Sequence, residues 1–180
     1  MTIILTCSTI EYIAQVSDRR LTFKDGKPPN DNANKAIAFK YDNVFAYTGI
    51  AKIGTKRTDL WIADILEQHF TLEEALQAIQ CKANKDIQRL PYSEKRLAVI
   101  CACFASTEPY APHMPTIVVI SNFYDENGNC SSKAKSTFSR INLTFNPSVP
   151  FVFHEAGQLT TVTIRKLLFR NINRAITKSM

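Results

Sequence analysis

The chain has 180 residues, 45% of them hydrophobic and 21% charged, with a formal net charge of +6. That balance excludes an extended disordered chain and predicts one globular domain over residues 1–180, with a hydrophobic core of its own. The positive charge alone suits acidic partners, but neither zinc-finger spacing nor a basic run interleaved with aromatics accompanies it, so nucleic acid is not an expected partner. The N-terminal run MTIILTCSTIEYIAQVSD lacks the positive n-region and small-residue cleavage site of a signal peptide. The longest apolar stretches, near residues 3–5, 97–105 and 116–120, are too short to span a bilayer. A soluble, cytoplasmic protein with no membrane partner is expected. Cys7, Cys81, Cys101, Cys103 and Cys130 are odd in number and lie mainly in apolar runs, so they read as small buried hydrophobes in a reducing compartment.

Two short β-branched runs, 2–8 and 12–17, predict a hairpin. The segment LTFKDGKPPNDNAN that follows is rich in Gly, Pro and Asn and reads as an exposed loop. Residues 35–40 and 44–48 predict a second strand pair around Tyr41-Asp42-Asn43, with Gly49 and Gly54 bracketing its exit. Helical spacing then sets in. Leu60, Trp61, Ile62, Ile65 and Leu66 mark one apolar side over 58–69. Thr71-Leu72-Glu73-Glu74 is a capping-box pattern opening a second helix, whose stripe runs through Ala75, Leu76, Ile79, Ala83 and Ile87 to Pro91.

Strand patterning returns over 96–106 and 116–124, as near-continuous apolar runs that fit a sheet covered on both faces. A turn at 125–129, shorter strands at 137–145 and 151–154, and a last helix after Gly157 complete the order. That helix has Leu159, Val162, Leu167, Leu168 and Ile172 apolar, and a basic face that reads as solvated. Strand blocks separated by a helical block predict layered sheets and helices rather than alternating βαβ units.

Thr2 is the first candidate for chemistry. Aminopeptidases remove an initiator Met when a small residue follows, which would give Thr2 a free α-amine beside its own hydroxyl. A hydroxyl needs an adjacent base to act as a nucleophile, and an α-amine titrating near pH 8 can serve as one. Asp18 ends the second strand, Lys35 opens the third, and Gly49 ends the fourth. Individually these read equally well as a turn residue, a solvated strand end and a turn glycine. His69, His113 and His154 have no ligand spacing and read as structural or surface residues. His154-Glu155 lacks the second His of a zinc motif, since position 158 is Gln158. Nothing in these motifs requires a metal or other cofactor.

Taken together, the hairpin, the SDRRLT segment, the NANKAIAF segment and VFAYTGIAKIG occur in an order and spacing that resemble the first quarter of a proteasome β-type subunit. Bacterial proteasome-like peptidases are similar. The resemblance implies an N-terminal-nucleophile hydrolase with the α+β class fold of that superfamily, a four-layer αββα sandwich of two antiparallel sheets, here C-terminally shortened. It implies Thr2 as nucleophile, Lys35 as the lysine that lowers the local proton affinity, Asp18 as its carboxylate, and the Gly49 N–H as oxyanion donor. Thr22 would lie where a substrate backbone adds as a strand, and Thr160 or Thr161 would help order the nucleophile. The implied substrate is a peptide or unfolded protein, the implied assembly a homo-oligomeric ring, and an ATPase a candidate partner. A catalytically inactive subunit of the same fold, with a structural or binding role, is the alternative.

Overall fold

The computed structural model describes residues 3–18, 35–40, 42–91, 95–106, 113–125, 129–144 and 152–157. Thr2, Thr22, Thr160, Thr161 and the expected last helix lie outside the described residues. In chain order the elements are β1 (Ile3–Ser8), β2 (Ile13–Ser17), β3 (Ala36–Phe39), β4 (Asn43–Gly49), β5 (Lys52–Ile53), β6 (Lys56–Arg57), α1 (Thr58–Glu67), α2 (Leu72–Asp86), β7 (Leu97–Ala105), β8 (Met114–Ser121), β9 (Ser139–Thr144) and β10 (Val152–Gly157).

These strands form two antiparallel sheets, β10-β1-β2 and β3-β4-β7-β8-β9, plus the small β5–β6 ribbon. The first hairpin closes through Thr9, whose hydroxyl accepts the N–H groups of Glu11 and Tyr12 while its own N–H bonds the Tyr12 carbonyl. This local satisfaction of backbone donors is what Ser and Thr offer at turns.

Alternation along the central strands builds the layers. Leu97, Val99, Cys101 and Cys103 of β7, with Val118 and Ile120 of β8 and Phe45 and Tyr47 of β4, point to one face and pack against Trp61, Ile62, Ile65, Leu76 and Ile79 of the helices. Ala98, Ile100, Ile117, Val119 and Ala46 point to the other face and meet Ile4 of β1 and Ala156 of β10. The five-stranded sheet is therefore covered on both faces, by α1 and α2 on one side and by the three-stranded sheet on the other. That double coverage explains why β7 and β8 read as continuous apolar runs instead of alternating ones. The architecture among the described residues is mixed, two antiparallel sheets and two helices. No helix among them is long and apolar enough to cross a membrane.

The helices follow their sequence signals. Thr71 and Glu74 form the expected capping box, each side chain bonded to the other's backbone N–H, an arrangement worth about 1 kcal/mol. Trp61 Nε1 donates to Asp86 Oδ2 at 3.1 Å and ties α1 to α2.

Several expectations need correction. Leu60 is half exposed, not on the buried side of α1. Gly157 is the last residue of β10, paired with Ile3, so the strand extends beyond its expected end at His154. Cys81 and Cys130 are exposed, and only Cys101 and Cys103 are fully buried.

Candidate active site

Strand register brings the candidate residues to one end of the sandwich. β2 runs antiparallel to β1, so Asp18, just past the end of β2, returns to the start of β1. Its N–H donates to the Ile3 carbonyl at 3.1 Å. In the other sheet Ala36 lies opposite Ala46, so Lys35, just before β3, sits near the end of β4 that terminates in Gly49.

The two sheets are joined at this end by an ion pair. Lys35 Nζ lies 2.7 Å from Asp18 Oδ1, with the lysine side chain 1% exposed and the aspartate 34%. Lys35 is therefore not a solvated strand end, the alternative that its residue type taken alone left open. A buried ammonium without compensation is strongly unfavourable, and a carboxylate at hydrogen-bond distance is the usual remedy. The geometry is asymmetric, with the cation inside and the anion at the mouth. Asp18 consequently holds both the start of β1, through its backbone, and Lys35, through its side chain.

Gly49 terminates β4 with φ at +103°, a left-handed conformation that glycine tolerates and other residues rarely adopt. A Cβ there would fall 2.0 Å from the Arg96 carbonyl oxygen, which itself accepts the Ile50 N–H at 3.0 Å. Glycine is thus required on steric grounds alone. The residue itself is exposed to solvent.

Tyr47 is a residue that sequence reasoning does not single out. It lies two positions before Gly49 and is 1% exposed. Burial pushes its pKa well above the ordinary phenol value, and the nearby Asp59 carboxylate adds to the rise. Both influences favour the neutral hydroxyl over the phenolate. Asp59 itself, at the first turn of α1, is held by a bidentate contact from Arg57 with bonds of 3.0 and 2.5 Å, and Thr58 Oγ1 donates to the Ile50 carbonyl. These bonds fix the stretch between Gly49 and α1.

Asp18 and Lys35 are in direct contact, Gly49 is at the same end of the sandwich, and Thr2 and Thr22 lie outside the described residues. Among the described residues no cluster of three or more His, Cys, Asp or Glu side chains is arranged to hold a metal ion. Cys101 and Cys103 share a face as their spacing predicts, packed in the helix-side core. There burial raises the Cys101 thiol, and the Cys103 thiol donates to the Thr116 carbonyl at 3.4 Å. No protein-family model matches the chain, and no curated protein is significantly similar to it.

Proposed function

We propose that this chain is a proteasome-like N-terminal threonine hydrolase that cleaves peptide or amide bonds, with Thr2 as nucleophile once Met1 is removed. The observation that carries the reading is the Lys35–Asp18 pair, with the lysine buried, at the end of the sandwich where β1 begins. In this mechanism the Thr2 hydroxyl attacks the substrate carbonyl while the α-amine takes its proton, relayed through water. The Lys35 ammonium favours the neutral, proton-accepting amine by like-charge repulsion, and Asp18 compensates Lys35 and fixes its position. The Gly49 N–H donates to the developing oxyanion, a contribution of about 3–4 kcal/mol for a well-placed donor. The amine then returns the proton to the leaving nitrogen, and water hydrolyses the acyl ester.

A peptide or unfolded segment would add as a strand near Thr22, which makes main-chain bonds and tolerates varied side chains. The complete four-layer αββα sandwich, a homo-oligomeric ring, an ATPase partner and a cytoplasmic setting belong to the same reading. The test is turnover of fluorogenic peptides by wild type and Thr2→Ala. A loss of at least about 1000-fold is expected, on the scale of removing a nucleophile, and equal turnover ends the assignment.

One observation favours a second reading. The Arg96 carbonyl already requires glycine at position 49, so that residue has a reason to be there without an oxyanion. A non-catalytic relative would keep Gly49 and the Asp18–Lys35 pair as structural ties between the sheets. A mature chain that retains Met1 would select this alternative.

A further inference from the structure

The inner face of the three-stranded sheet carries one row unlike the rest of the sandwich core. β10, β1 and β2 set His154, Thr6 and Gln15 directly opposite one another, and Ser8 follows two residues along β1 on the same face. Side chains in such cross-strand positions have Cβ atoms about 5 Å apart. Thr6 and Ser8 are fully buried. Gln15 Nε2 donates to Thr6 Oγ1 at 3.1 Å, yet Ser8 Oγ, Gln15 Oε1 and His154 Nδ1 are buried with no hydrogen-bond partner among the described residues. Asn122 shows the usual alternative, its Oδ1 accepting the Leu97 N–H and its Nδ2 donating to the Lys95 carbonyl. Unsatisfied buried polar atoms are uncommon, and three on one small face call for an account.

His154 is the titratable member of the row. On β1 its neighbours on the same face are Ile4, Thr6 and Ser8. After β8 comes the ring of Tyr124, edge-on with centroids 6.2 Å apart. Glu155, the next residue of β10, points to the opposite face of the strand. Its charge favours the protonated ring, but burial outweighs it and lowers the His154 pKa from an ordinary 6.5 to about 4.

We propose that His154 is an acid-sensitive latch on the sandwich: a proton taken up by its ring puts a cation into the seam between the sheets and unseats β10. The strand pairs with β1 along its whole length, from Ile3 opposite Gly157 to Ser8 opposite Val152. Release of β10 therefore loosens the strand whose start Asp18 holds. The device is independent of any chemistry at Thr2.

The latch is tested by measuring amide protection factors for residues 152–157 in the full chain at pH 7 and pH 5, in wild type and His154→Gln. For a ring that titrates at about 4 when seated and near 6.5 when released, the wild-type factors fall about 20-fold over that range, and those of the variant hold. An equal fall in both chains overturns the latch. A His154 ring titration followed by NMR in the wild type needs no variant: an inflection near pH 4 supports the latch, and one near 6.5 or above contradicts it.

Discussion

Lys35 and His154 both set an ionisable side chain between the sheets, and they are dealt with in opposite ways. At the end of the sandwich, Lys35 is 1% exposed and meets the Asp18 carboxylate at 2.7 Å. In the middle, His154 has an unpartnered Nδ1 and no facing carboxylate among the described residues. The first arrangement compensates a charge and the second suppresses one. The difference teaches where function can reside. A compensated ammonium offers a fixed positive field to groups at the start of β1, whereas a suppressed imidazole offers a response to acid.

The contrast predicts a graded set of effects. Removing the carboxylate from the buried ammonium by Asp18→Asn has the largest, a loss of about 3 kcal/mol in urea denaturation. This is the lower end for a broken buried pair, because Asp18 is one-third exposed. The double variant Asp18→Asn with Lys35→Met recovers much of that loss, since an apolar side chain of similar length has no charge to compensate. A full-sized loss in the double variant would mean that shape rather than charge governs this end. Gly49→Ala comes next, at about 2–3 kcal/mol in the same assay, because alanine resists a φ of +103° and its Cβ meets the Arg96 carbonyl.

Acid supplies the third effect. The His154 pKa is lowered in the folded chain, so the unfolded state binds more protons below pH 6.5. Stability is complete above that pH and declines toward the folded pKa of about 4. Between pH 7 and pH 5 the decline is about 2 kcal/mol, read as a shift in the urea midpoint that His154→Gln removes. The smallest effect belongs to a surface counterpart of the Lys35 pair. Arg140 grips Glu73 with two bonds of 2.5 and 2.8 Å, but Glu73 is largely exposed. Glu73→Gln changes stability by no more than about 0.5 kcal/mol in the same assay. A loss as large as that of Asp18→Asn would break the comparison between buried and exposed pairs.

Features that depend on neighbouring residues in the chain are legible from the sequence. The hairpin of β1 and β2 follows from two β-branched runs around Thr9, and the capping box follows from the spacing of Thr71 and Glu74. The continuous apolar runs of β7 and β8 announce a sheet buried on both faces. Features that depend on register are not legible. Taken alone, Lys35 reads equally well as a solvated strand end, and only the family resemblance implies Asp18 as its carboxylate, because the two residues flank strands of different sheets. Thr6, Gln15 and His154 come from three separate strands, and no single strand reveals that they share a row. The β5–β6 ribbon has strands of two residues each, too short for any period to emerge. Gly157 joins β10 despite its low strand propensity because Ile3 opposite supplies the pairing.

The central claim concerns Thr2, and mass spectrometry of the full chain after treatment with a threonine-directed covalent inhibitor tests it most directly. The account predicts an N-terminal peptide that begins at Thr2 and carries the adduct. A chain that still begins at Met1, or one that begins at Thr2 and carries no adduct, would contradict it.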